Sequence, residues 1–211
     1  MYTPDPFAVS DAETLRDFMC EHPFATLVTS TPECPQVTHL PLEWFAGTDG
    51  APEHLIGHVA RANPHWRHFE SSPPSVAIFH GPHDYISPSW YASDSLVPTW
   101  NYAVVHATGQ PRVLDDPVET RAALDHLVER FEHAQPSPWV NRLEPDLLAK
   151  LQDAIVAFTL PIDRLEGKFK LGQNRSPEDQ RASLAGLTAA TGEAPQSLAA
   201  LTRARLERAT R

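Results

Sequence analysis

The sequence predicts an antiparallel β-barrel with peripheral helices, a mainly β fold of the α+β kind. Three observations predict it. Short β-branched and aromatic runs recur between polar breaks from residue 24 onward. The chain has 21 prolines, and many fall in those breaks, the punctuation of a β-rich protein. The strand-like runs do not alternate regularly with helices as βαβ units would, and the earliest ones neighbour each other like hairpins.

The elements follow in order. Ser10-Asp11-Ala12-Glu13 reads as a capping box, with Leu15, Phe18 and Met19 on one face of the helix it opens. Residues 24–31 form a strand, and 35–45 its hairpin partner, where Pro41 demands an edge position or a bulge. Residues 53–59 make a third strand, Pro64–Phe69 a short helix and 76–80 a fourth strand. Residues 81–101, with two tryptophans and two tyrosines and no helical period, read as a long functional loop. Residues 102–114 return to strand, bent near Gly109 and Pro111. Asp116-Pro117-Val118-Glu119 starts a helix whose buried face is Leu124, Leu127, Val128 and Phe131. A short helix at 144–152, strands at 154–162 and 163–171, and a helix opened by Ser176 complete residues 1–187. Residues 188–211 form a hinge, 188–194, and an amphipathic helix from Pro195 to Arg208.

Composition narrows the function. Charged residues make up 21% of the 211 and no apolar run is long enough to span a bilayer. The opening residues lack a basic start and apolar stretch, so no secretory signal is expected. Cys20 and Cys34 stand outside any C-x-x-C pair, and reduced thiols in a cytoplasmic protein are expected. The formal net charge is −10, which makes direct DNA binding doubtful; residues 161–211 alone are basic, at +3, with Arg203, Arg205, Arg208 and Arg211 near the end. That end reads equally as a solvated helix face. No G-x-G-x-x-G, Walker A, G-x-S-x-G or H-E-x-x-H pattern is present, which disfavours Rossmann enzymes, P-loop NTPases, α/β-hydrolases and zincins.

Four segments carry the remaining signal: 39–41 (HLP), 57–66 (GHVARANPHW), 81–91 with 98–106 (GPHDYISPSWY, PTWNYAVVH) and 166–174 (EGKFKLGQN). Together with the opening Met1-Tyr2-x-Pro4-x-x-Phe7, their order and spacing resemble the PaiB family of FMN-binding negative transcriptional regulators over residues 1–187. The resemblance implies an FMN-binding split β-barrel, pyridoxamine-phosphate-oxidase-like, acting as a homodimer with flavin at the subunit interface.

FMN requires donors for its phosphate, a flat apolar slot and hydrogen bonds to the ring's polar edge. Arg61, followed by the Asn63-Pro64 helix start, suits the phosphate. Thr38, His39, Leu40 and Pro41 lie on the strand that the resemblance runs beside the flavin, and His58 lies on the next. Trp100 offers a ring cover and Asn101 an amide; Lys168 and Lys170 share a strand face, and Gln173 and Asn174 follow as ring donors. Each has a plainer alternative: a solvated arginine, a barrel histidine bonded to backbone, a core or interface tryptophan, a solvated strand end. Eight of the eleven histidines fall between 39 and 106, without companions at zinc-site spacing. Three functions stay open: a flavin-linked regulator, direct or indirect; a flavin-dependent oxidoreductase on a small molecule; and a haem- or metal-binding module.

Overall fold

A computed structural model describes residues 1–47, 52–71, 73–94 and 96–209. The chain forms two compact units, each drawn from separated segments. The first comprises residues 1–18, 80–105 and 166–211, the second 19–79 and 106–165.

In the first unit, strand β1 (Ala8–Val9) precedes helix α1 (Ala12–Glu21), whose opening turn lies here. The expected capping box is replaced by a simpler cap: Asp11 Oδ2 accepts from Thr14 N at 2.8 Å and from the Thr14 hydroxyl at 2.6 Å. Asp11 lies one residue nearer the helix than Ser10 and reaches the third free N–H. Strands β6 (Ser75–Ile86), β7 (Thr99–Gly109) and β10 (Arg164–Lys170) run in the order β1-β10-β7-β6. Helices α4 (Pro177–Ala189) and α5 (Glu193–Ala209) follow. Phe7, Leu15, Phe18, Ile86, Phe169, Leu187 and Leu198 are buried. Gly186 lets α4 lie against Trp90, since a Cβ there would stand 2.3 Å from the indole. The turn between α4 and α5 is bonded rather than loose: Gln196 Nε2 donates to the carbonyls of Thr188 and Ala190. Arg211 lies outside the described residues.

The long loop expected over 81–101 is shorter. β6 continues through Gly81-Pro82 to Ile86, leaving 87–98 outside strands, with one 3-10 turn at Pro88–Trp90; residue 95 lies outside the described residues.

In the second unit, β2 (Phe24–Thr29) pairs with β3 (Gln36–Pro41) and with β6 in antiparallel register, Leu27 opposite Thr38 and Ala77. β3 is the edge strand, so Pro41 sits where a missing donor costs no ladder bond. The expected 35–45 strand breaks at Leu42, whose N–H bonds Pro23 O at 2.9 Å. Beyond the break, β4 (Glu43–Phe45) joins a different sheet, β4-β5-β9-β8, with β5 (His54–Ala60), β8 (Arg112–Val113) and β9 (Ile155–Pro161). Helix α2 (Pro117–Glu132), capped by Asp116, and α3 (Pro145–Asp153) lie in the same unit. Only part of the expected α2 face is covered: Ala123 and Leu127 are buried, Leu124 is half-buried, and Val128 and Phe131 are exposed. Leu27, Leu42, Leu55, Phe69, Phe79, Phe158 and Leu160 are fully buried.

Candidate functional site

In the first unit, the start of β7 and the end of β10 bring expected residues together. Trp100 is 54% exposed, with its ring 6.3 Å from Tyr85, edge to face, and 6.4 Å from His83. Asn101, the next residue, points to the other face and is buried. Its Nδ2 lies 3.9 Å from where a Cβ on Gly172 would stand, and Gly172 has φ +86°, a conformation open to glycine. The amide therefore borders the turn at Gly172.

Gly167 and Phe169 are buried, so Lys168 and Lys170 share the opposite face of β10. Lys170 Nζ donates to the Thr99 hydroxyl and to Trp100 O at 2.7 Å. Lys168 Nζ donates to Tyr2 O at 3.1 Å and lies over the Tyr102 ring at 5.3 Å. The Arg175 guanidinium lies over Tyr91 at 5.7 Å. Burial, then the charges of Lys168 and Arg175, hold the Lys170 ammonium below the usual lysine range. Among the described residues, none of these three cations has a carboxylate partner. Each ammonium retains a donor for a further acceptor. Gln173, expected as a ring donor, closes its own turn: Oε1 accepts from Leu171 N at 2.7 Å and Nε2 donates to Phe169 O. Asn174 is exposed beside it.

In the second unit the expected residues divide. Thr38 and Leu40 lie on the inner face of β3, opposite Leu27 and Ala25, whereas His39 lies on the outer face with Nδ1 3.0 Å from the Thr26 hydroxyl. One ligand on one side of β3 cannot meet both. Pro41 is half-buried at the strand end. His58 on β5 stands opposite Ala157; its Nδ1 is buried without a partner among the described residues, and burial lowers its pKa.

Arg61 borders a cavity of about 460 Å³ lined also by Trp66, Val113, Thr120, Gln152 and Asp153. Its Nε donates to Asp153 O at 2.5 Å and its Nη2 to Ile155 O at 2.8 Å. Two of its nitrogens thus fasten α3 to β9, and Asp115 and Asp153 also line the cavity. The expected helix start is one 3-10 turn, Pro64–His68, in which Asn63 Oδ1 already accepts from His65 N. Proline supplies no N–H, so this end presents fewer free donors to a phosphate than the sequence suggested.

One residue outside the expected site set lies deeper. His65 is 1% exposed; its Nδ1 is 2.8 Å from the Thr38 hydroxyl and its Nε2 2.8 Å from the Thr29 hydroxyl. Thr29 continues to Ser75 Oγ at 2.5 Å, and Asn63 Nδ2 donates to Thr38 at 3.0 Å. Burial, and secondarily His68, lower the His65 pKa to about 4, so the ring is neutral. Polar residues scattered over strand ends were the only signal of this chain. Among the described residues, no group of three or more His, Cys, Asp or Glu side chains is placed to hold a metal.

Residues 1–164 match the family described as "Putative FMN-binding domain", a match that ends at the first residue of β10. The chain is 38% identical over 181 residues to "Protease synthase and sporulation protein PAI 2" of Bacillus subtilis, covering 85% of each. An uncharacterized protein of Emericella nidulans is 28% identical, with 98% of each chain covered. Among solved structures, the flavocytochrome Anf3 from Azotobacter vinelandii superposes with a TM-score of 0.62 at 17% identity, covering 83% of this chain and 75% of that one. The FAD and heme binding protein from Mycobacterium smegmatis gives 0.60 at 20%, covering 83% and 78%. At such identities these structures bear on the fold alone, and they place it among the split barrels. With the sequence match, the PAI 2 likeness and the fold in agreement, the chain belongs to the PaiB family of FMN-binding split-barrel proteins.

Proposed function

We propose that this chain works as a cytoplasmic homodimer that holds FMN and exerts a negative regulatory effect through the flavin, without itself gripping DNA. The observation that carries the reading is the strip Lys168, Lys170 and Arg175. Among the described residues these cations lack carboxylate partners, and they lie beside the exposed Trp100 ring. This donor set fits an aromatic ligand with an anionic group. Lys168 and Lys170 would take the phosphate or the electron-rich ring edge, Trp100 would cover the ring and Asn174 would bond its heteroatoms, while Asn101, on the opposite face of β7, is left to the turn at Gly172. The second unit offers its own candidates: Thr38, Leu40, Pro41, His58, Arg61 and Asn63. Gln173 and His39 are left to the turn and to the outer face of β3.

FMN, when bound, supplies electron-transfer chemistry that no side chain of this chain supplies. Indirect regulation is favoured because two of the C-terminal basic residues have internal partners: Arg203 Nη2 donates to the Thr188 hydroxyl at 3.4 Å and Arg205 Nη1 to Gln180 Oε1 at 3.2 Å.

The purified protein should carry flavin absorbance and prefer FMN to riboflavin. Lys170→Gln should weaken FMN about 10-fold, the scale of one charge-assisted bond, and leave riboflavin nearly unchanged. Equal affinity of the unsubstituted protein for the two flavins would reject the cation strip. Salt-sensitive retention on DNA would reject the indirect reading, and bleaching of bound flavin by reduced nicotinamide would favour an oxidoreductase.

A further inference from the structure

We propose that His65 is a positioning residue whose tautomer decides whether the Thr38 hydroxyl donates or accepts a hydrogen bond toward bound flavin. This rests on the reading of Thr38 as a flavin contact; the rest comes from the buried chain itself. The chain runs from half-buried Thr38 through His65 and Thr29 to Ser75, and the last three are at most 1% exposed. A buried polar group left unpaired is costly, so the protons along this chain must be arranged jointly.

The Asn63 amide fixes one end. Its oxygen accepts from His65 N, so its nitrogen must donate to Thr38 and take one of the two hydroxyl lone pairs. Two arrangements remain. With the proton on Nδ1, His65 donates to the second lone pair, and Thr38 turns its own hydrogen outward as a donor. Nε2 then accepts from Thr29, which in turn accepts from Ser75. With the proton on Nε2, Thr38 gives its hydrogen to Nδ1 and presents only acceptor capacity outward. His65 then donates to Thr29, and Thr29 to Ser75. Each arrangement pairs both ring nitrogens of His65 and the Thr38 and Thr29 hydroxyls, and the two differ in whether Ser75 donates or accepts, so a ligand bonded to Thr38 can select between them by its own demand. The low pKa keeps both tautomers available by excluding the doubly protonated ring at neutral pH. A flavin ring is a suitable selector, because its reduction converts acceptor nitrogens into N–H donors.

The test uses full-length protein labelled with 15N-histidine. His65 Nδ1 and Nε2 are assigned by comparison with His65→Asn, then followed without FMN, with oxidised FMN and with chemically reduced FMN. A change in tautomer population on FMN binding, with a further change on reduction, is expected. Thr38→Val should weaken FMN about 2- to 10-fold, the range of one neutral hydrogen bond, and abolish the His65 response. Thr38→Ser, which keeps the hydroxyl and removes a methyl, should restore it. If Thr38→Val weakens FMN while the His65 signals are the same in all three states, the tautomer proposal fails and Thr38 remains a contact. If Thr38→Val leaves FMN affinity unchanged and His65 is silent, the contact reading fails and takes the proposal with it.

Discussion

Acidification should destabilise this protein through His65 in a calculable way. An exposed histidine titrates near 6.5, whereas burial holds His65 at about 4 in the folded state. Between those values the unfolded chain binds a proton that the folded one refuses. Stability therefore falls as pH drops below about 6.5, and the loss is complete once pH passes below about 4. The linkage relation gives a loss of about 1.4 kcal/mol by pH 5.5 and about 3 kcal/mol by pH 4, against none above pH 7. Other groups add slopes of their own: burial also lowers His58 and His22, while it raises Glu43, which acts with the opposite sign. The comparison is therefore between the protein and His65→Asn, each unfolded in urea at several pH values and followed by tryptophan fluorescence. The substituted protein is less stable at neutral pH, and its stability falls less on acidification, by roughly the amounts above. Parallel pH curves for the two proteins would refute the placement of a neutral, buried imidazole.

Three substitutions test the geometry more directly. Gly109→Ala puts a Cβ 1.8 Å from Pro161 O, a backbone atom, and should cost about 3 kcal/mol or more; an unchanged thermal midpoint would contradict the close approach of Gly109 to the end of β9. Gly172→Ala forces φ +86° on an alanine and should cost about 1–2 kcal/mol; an unchanged thermal midpoint would contradict the left-handed turn after β10. Arg61→Ala strips a donor group from the carbonyls of Asp153 and Ile155 and should lower stability by about 1 kcal/mol; a larger loss in FMN affinity than in stability would restore Arg61 as the main phosphate ligand.

These expectations mark where local sequence was informative. The β-branched runs of β2 and β9 and the Asp116-Pro117 helix start were legible because each depends on neighbours within a few residues. β6 was truncated in the reading because Gly81-Pro82 has the composition of a turn, while its course in the strand is set by pairing with distant segments. The same applies to the site. That Lys168 and Lys170 share one face of β10 follows from period-two spacing, which the backbone enforces locally. The placement of His65 does not, because its partners Thr38 and Thr29 lie 27 and 36 residues away and nothing in its own turn announces them. Gln173 differs for the opposite reason: its bonds to Leu171 N and Phe169 O close a turn within four residues, and the sequence shows the amide but not that turn.

The three cations are the feature hardest to explain without a ligand. Acidic residues outnumber basic ones by 27 to 17, so carboxylates are abundant, yet none pairs with Lys168, Lys170 or Arg175 among the described residues. Their mutual repulsion contributes to the lowered pKa of Lys170, after burial. An anion placed among them relieves that repulsion, and this ties phosphate recognition to pH. Lys170 surrenders its proton earlier on the alkaline side than an ordinary lysine, so FMN affinity should decline as pH rises through that lowered range, whereas riboflavin affinity should not. Lys170→Arg carries a guanidinium that stays charged throughout and should flatten the alkaline decline. FMN and riboflavin titrations of both proteins across that range decide the matter. If the protein and its arginine variant share one alkaline profile, the cation that recognises the phosphate is not Lys170.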